Sequence, residues 1–509
     1  MRKNGTRNWQ AQKKFQTKMK KIKEMKIKLS FIALVLLSIF TFESCKVGPG
    51  FKSQRTEIDS TAVYRYDSLQ LAMQDSVLNI SWWELFDDPM LDTLIKIGLA
   101  ENKNALMASS RIEQSRAQLG YAKADTWPSF GYSASAMRGN AIGGQVNSDF
   151  SVSNLFTGFG TLSWELDFWG KYRRASEAAR AELLASDYGQ RTVQIGLISS
   201  IVGTYYILLD YRWREYISRK TLELRQESLN IIQSRYEHGI VPEIDLNQAQ
   251  IQRAIAASAV PLFQRAVAQT ENALGTLLGR NPGPITIGVD LDSQNLPPDI
   301  PVGLPSMLME RRPDVLEAEA LLHAQTARVG VAVAQRFPSI SLTGLLGVAS
   351  NDISTLTTNP AAFALGGSML GPIFEFGKNK RRVEIERFRT EEVMYHYEYT
   401  IITAFREVED ALVEIHTLKE ELTARQNHVD AAQQAQNLSK ERYDKGVTSF
   451  LELIESQRQA FEAELSLSET TQKLFNAYVK LYKALGGGWL SEEEMSASAN
   501  AAADPATTQ

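Results

Sequence analysis

The period of apolar positions changes several times along this chain, and each change predicts a new element. Leu91, Leu94, Ile95, Ile97 and Leu99 recur at helical spacing behind Pro89, and the helical pattern carries on to Ala124. At Trp127-Pro128 the period drops to two. Phe130, Tyr132, Ala134 and Ala136 alternate with Ser129, Gly131, Ser133 and Ser135; after a Gly/Asn-rich turn, Leu162, Trp164, Leu166 and Phe168 alternate with Ser163, Glu165 and Asp167. Residues 128–168 therefore read as a β-hairpin with one apolar and one polar face. A proline-free helical pattern follows from Lys171 to His238, about 100 Å long as one helix. Leu222, Leu229, Ile232 and Tyr236 fall on heptad-like spacing within it. After the tip "GIVPE" a further helix runs to Leu278.

The chain then repeats itself. "ARVGVAVAQRFPS" matches "AQLGYAKADTWPS" 210 residues earlier, and "FEFGKNKRR" matches "DFWGKYRRA" 207 residues earlier. A second hairpin is expected over 338–376, a second long helix from Lys378 to Asp444, and a last helix to Leu485. "RYDKGVTSFLELIES" twins "RYEHGIVPEIDLNQ", so the tips 239–248 and 446–456 are copies of one feature. The organisation is a first repeat over 81–290, a Pro-rich linker over 291–304, a second repeat over 305–488 and a disordered tail over 489–509.

Charge adds an asymmetry. Residues 1–44 hold eleven Lys/Arg and two Asp/Glu, leaving the rest at −13, which makes the body a poor partner for nucleic acid. The apolar run Leu29–Phe42 is too short to span a bilayer and suits a signal peptide over 1–44. The chain's one cysteine, Cys45, follows at once in "ESCKVGPGF". It reads either as a small buried residue or as a lipid attachment site that heads an anchored segment over 45–80. The five histidines (238, 323, 396, 416, 428) show no metal-ligand spacing, and no P-loop, CxxC or GxSxG is present. No cofactor, metal or catalytic residue is expected, and an envelope enzyme is the weakest reading.

Four amphipathic strands cannot close a barrel on their own, and an open edge cannot face lipid. Either the sheet packs on something in water or several chains share one barrel; a signal peptide and a lipidated cysteine favour the second. Ala-rich stretches such as "AIAASAV" and "AAQQAQ" suit helices packed side by side into a wide tube.

"CKVGPGF", "DFWGKYRRASEAARAE", "RYEHGIVPEIDLNQAQ", "ERRPDVLEAEA…ARVGVAVAQRFPSISLTG" and "RYDKGVTSFLELIESQ", in this order, resemble the TolC-like outer-membrane factors, in particular the lipid-anchored ones paired with RND-type pumps. The resemblance covers about Cys45 to Gly488. It implies a mixed α and membrane-β fold in which three duplicated chains give four strands each to a twelve-stranded barrel continued by an α-helical tunnel. It also implies a homotrimer working with an inner-membrane transporter and a periplasmic adaptor.

Two site assignments follow. The resemblance puts Glu452 and Glu455 where the family's periplasmic gate carries acidic rings, and Asp245 and Tyr443 where its closed state is tied. Thr448 stands where a basic gate partner is found in the best-known member. Gly239, Val241, Glu243, Gly446, Val447 and Phe450 are the expected adaptor contacts. A plain reading of the same tips is solvated helix ends with capping acids. "RRPD" at Arg311–Asp314 reads as a helix start rather than a ligand site, with Asp314, Glu317 and Glu319 set against the helix dipole. The alternative to an export duct is a structural coiled-coil lipoprotein bridging the envelope, for which hairpins with an apolar face have no use.

Overall fold

The computed structural model describes residues 46–52, 82–142, 145–146, 152–298, 309–356, 358 and 360–487. The signal peptide, Cys45 and the tail lie outside the described residues, as does most of the anchored segment. The chain divides into two compact units.

The first unit gathers Leu119–Ala179 and Ala324–Thr390 with the segment ending at Phe51. Its main sheet is antiparallel, of β1 (Ser129–Gly139), β2 (Ser153–Leu166), β3 (Ser339–Ser350) and β4 (Ala362–Leu370) in that spatial order, and the short segments Ala141–Ile142 and Gln145–Val146 pair in the turn between β1 and β2. The two hairpins thus pair with each other through β2 and β3, leaving β1 and β4 as edges. Register sorts the faces. Phe130 lies opposite Leu162, Trp164 opposite Leu342, and Ile340 opposite Met369, while Ser163 lies opposite Ser129 and Thr343. Because side chains alternate with period two, this one register places most of the large apolar residues, with several glycines, on one side and the Ser and Thr residues on the other, where Phe159, Leu345 and Leu370 are among the apolar exceptions. The apolar side is open to its surroundings at Phe130, Tyr132, Leu346, Phe363 and Leu365. β2 starts at Ser153, nine residues before the alternating stretch at Leu162, because Gly158 and Gly160 interrupt the sequence alternation without interrupting the ladder.

The second unit is helical: α1 (Pro89–Glu101), α2 (Lys103–Ala124), α3 (Lys171–Glu237), α4 (Glu243–Leu277), α5 (Pro313–Ala334), α6 (Lys378–Asp444) and α7 (Phe450–Ala484), of which α2, α3, α5 and α6 also run into the first unit. α3 and α6 are each 67 residues long, α4 and α7 each 35, as a duplication requires. The core gathers Trp82 and Phe86, α1 (Leu91, Ile95), the middle of α3 (Ile201, Tyr205, Leu208) and the end of α7 (Phe475, Tyr478, Leu481). Tyr206 stacks on Phe475 with centroids 4.4 Å apart, so the apolar middle of α3 is spent on core packing.

Two differences from the sequence reading have local causes. The helical run 89–124 is two helices, broken at Asn102. Its amide donates to the Leu277 carbonyl (2.8 Å), while its Oδ1 accepts from the Asn104 and Ala105 backbones and starts α2. The linker is partly core: Leu291 is buried and Gln294 donates to Asp88, which also caps α1 and accepts from Tyr205 (2.7 Å). The "RRPD" stretch is structural as expected. Arg312 is buried and bridges Asp314, Glu407 and the Ala484 carbonyl.

Candidate functional site

The tips join α3 to α4 and α6 to α7, and both are built by the same backbone hydrogen bonds. Gly239 donates to the Tyr236 carbonyl and Ile240 to that of Arg235; Gly446 donates to Tyr443 and Val447 to Arg442. These are paired C-cap bonds that need a left-handed residue. Gly239 (φ 69°) and Gly446 (φ 70°) supply it, and a Cβ at either would meet nothing within 4 Å. The glycines are there for backbone angle and not for space.

Below the turns lies a small core of Ile232, Ala249, Phe450, Leu453 and Ile454, with Leu229, Val241, Leu246 and Tyr443 packed on it. Phe450 is only 5% exposed and its ring lies 5.4 Å from that of Tyr443. Its expected place among the adaptor contacts is therefore corrected: it holds the tip together from inside, because it opens α7 on the side facing α3. Val241 is half-buried in the same core. The outward apolar surface is made instead by Val447 with Ile240, Ile244 and Leu451, three residues the sequence reading passed over. Glu243, Gly239 and Gly446 stay exposed beside them.

The acids are engaged within one chain. Glu452 accepts from the Thr448 hydroxyl and lies 3.6 Å from the Arg442 guanidinium across the turn. The Thr448 position is thus linked to Glu452, with the positive charge supplied by Arg442. Ser449 caps α7 by accepting from the Glu452 backbone. Glu455 is gripped by Arg458 through two bonds (2.6 and 3.0 Å) and by Gln459, which hold its carboxyl down to about 2. Arg458 also reaches Glu462 at 2.8 Å. This pairing was open to detection in sequence, since Glu455 and Arg458 are i, i+3.

Asp245 and Glu243 occupy the first turn of α4, where an acid suits the helix dipole. Among the described residues no hydrogen bond joins Asp245 to Tyr443. The Tyr443 ring lies under the Arg235 guanidinium (5.3 Å), and its hydroxyl is buried without a partner.

A third cluster sits after β2. Asp167 accepts from the backbones of Tyr172 and Arg173 and starts α3. Buried Arg174 donates to the Val47 and Gly48 carbonyls, Lys46 pairs with Glu177 (3.1 Å), and Val47 donates to the Trp169 carbonyl. "KVGPG" is thereby fastened to the start of α3, fixing where the residue after Cys45 lies.

A duplicated chain with a four-stranded amphipathic sheet and paired helix tips defines an outer-membrane export channel. The chain belongs to the outer membrane efflux protein family, whose model matches residues 94–280 and 304–487, one block in each repeat. It is 33% identical over 415 residues to the toluene efflux pump outer membrane protein TtgC of Pseudomonas putida, covering 81% of this chain and 86% of that one. It is 31% identical over 417 residues to the cation efflux system protein CusC of Escherichia coli, covering 82% and 90%. Among solved structures it matches the Campylobacter jejuni CmeC outer membrane channel with a TM-score of 0.81 at 28% identity, over 90% of this chain and 98% of that one. The chain is an outer-membrane efflux channel, with the α/β fold expected of one. These relatives are channels rather than enzymes, and the bridging-lipoprotein alternative accounts for neither them nor the sheet.

Proposed function

We propose that three copies of this chain form a passive exit duct: a shared twelve-stranded barrel in the outer membrane, a helical tunnel in the periplasm, and a gate where the six tips meet. The observation that carries this is a sheet with one apolar face and two open edges. Four strands are too few to close, and lipid does not satisfy unpaired backbone groups. The exposed apolar tip residues Val447, Ile240, Ile244 and Leu451, with Gly239, Gly446 and Glu243, are the docking surface for a periplasmic adaptor. The energy comes from an inner-membrane transporter of the RND type. TtgC and CusC serve toluene and cations at nearly equal identity to this chain, which fits cargo being chosen by pump and adaptor.

Cys45 carries the lipid anchor. The residues that follow it, 46–48, are fastened to the start of α3, just after the end of β2, which supports an anchor on the membrane side of the chain. Cys45→Ala is expected to abolish incorporation of radiolabelled palmitate; retained label would place the anchor elsewhere.

At the gate, Glu452 and Glu455 form the acid rings and favour cations. The depressed Glu455 carboxyl loses its charge only as pH falls through about 2, so that part of the preference holds from pH 8 to pH 4. In a planar bilayer under a KCl gradient, Glu452→Ala with Glu455→Ala is expected to move the reversal potential toward that of chloride. An unchanged reversal potential would remove these acids from the conduction path.

A further inference from the structure

The internal duplication states how the open sheet edges meet a second copy. The first strand of each hairpin is related by 210 residues (β1 to β3), the second by 207 (β2 to β4). This relation carries the β1·β2 pair Ser129↔Ser163 onto Ser339↔Leu370, which is the pair found between β3 and β4. The two hairpins therefore share one register. The pairing between them, β2 with β3, has no counterpart inside the chain; its counterpart is β4 with the β1 of another molecule.

Carrying the β2·β3 register across turns Leu162↔Gly344 into Met369↔Ala134, Gly160↔Leu346 into Gly367↔Ala136, and Trp164↔Leu342 into Gly371↔Tyr132. We propose that β4 of one copy pairs antiparallel with β1 of a second copy in this register, with Phe376 seated on Trp127 of that copy. The inference rests on the shared-barrel reading above and adds its register and its aromatic contact.

One consequence of the register and one independent feature fit it. The first is face parity. Phe363, Leu365 and Met369 lie on the apolar side of β4, and the register sets Met369 beside Ala134, on the side of Phe130 and Tyr132. A slip of one residue would put Ser133 or Ser135 there and bring the polar face into lipid. Tyr132 also gains a glycine on each flank, Gly160 within the chain and Gly371 across the junction, an arrangement in which an aromatic ring covers glycines.

The second is a pair of bare rings. Inside the chain Trp169, after β2, stacks on Phe337, before β3, at 4.5 Å and 20°, and its indole donates to the Pro338 carbonyl. Their repeat counterparts are Phe376, 91% exposed, and Trp127, 74% exposed. The same Trp/Phe couple is present with its members exchanged, and both rings stay exposed within the chain although Phe376 meets the ring of Phe374 edge-on at 4.7 Å. Phe376 also takes φ 48°, a left-handed conformation its counterpart Trp169 does not adopt.

Disulfide trapping tests the register in the full-length chain in outer-membrane vesicles, with the unaltered chain as control for Cys45. Ala134→Cys with Met369→Cys, and Ala136→Cys with Gly367→Cys, are expected to give covalent dimers and trimers on oxidation. The pairs shifted by two residues, Ala136→Cys with Met369→Cys and Ala134→Cys with Gly367→Cys, are expected to yield at least tenfold less. The four single-cysteine chains serve as folding controls and are expected to stay assembled. Preferential trapping of a shifted pair, or no trapping in assembled trimers, overturns the register while the shared barrel stands. Monomeric unaltered chain in the same vesicles overturns both.

Discussion

Arg312→Ala is expected to lower stability by about 3 kcal/mol, the low end of the range for breaking a buried ion pair. Arg312 is 5% exposed, and its guanidinium makes four contacts at once. It binds Asp314 through Nε (3.0 Å) and Nη2 (2.6 Å), Glu407 through Nη2 (2.8 Å) and the Ala484 carbonyl through Nη1 (3.0 Å). It therefore ties the start of α5 to α6 and to the end of α7. Its loss leaves two carboxylates facing each other and one carbonyl without its donor. Asp314 and Glu407 keep access to water, which limits the cost. Arg312→Lys is expected to recover only part of it, because a point charge cannot reach three acceptors set for a planar fork. Thermal melting followed by circular dichroism reads the difference. Equal midpoints for the Ala variant and the parent would mean that the clamp holds nothing.

Leu346→Arg is expected to act on insertion rather than on helix packing. Leu346 lies near the middle of β3, exposed on the apolar side. In a barrel wall that side meets lipid, where an arginine near the midplane costs about 2–4 kcal/mol. The folded fraction in vesicles, read by heat-modifiable gel mobility, is expected to fall steeply. Thr343→Arg, three residues earlier on the opposite side, is expected to insert normally, since its side chain faces the lumen. If the threonine variant failed and the leucine variant inserted, the assignment of faces would be inverted.

Much of this architecture was legible because it is periodic. The long helices end within one residue of where their patterns stop, at glycines that only a left-handed turn requires. The duplication exposed itself through paired motifs and carried the hairpins with it. What escaped the sequence depends on partners distant along the chain. Asn102 looks like any polar helix residue until the Leu277 carbonyl is placed beside its amide. Phe450 and Val447 are both apolar tip residues, and only packing against Ile232 and Tyr443 decides that one is core and the other surface. Glu452 and Arg442 are ten positions apart and meet because Gly446 reverses the chain between them.

The two tips also differ in a way that bears on opening. The second ties its acid to Thr448 and Arg442 across the turn, whereas the first places Glu243 and Asp245 after Pro242 in the opening turn of α4. The second tip is thus the one whose side chains bridge two helices by an acid, and the one where, on the proposed gating, loss of charge is expected to loosen the closed state. The most direct measurement is the current through single molecules of the purified chain in a planar bilayer. The unaltered chain is expected to show small, discrete conductance steps, and Glu452→Ala with Glu455→Ala larger ones. Silent bilayers from both chains, with correctly assembled protein present, would contradict the duct.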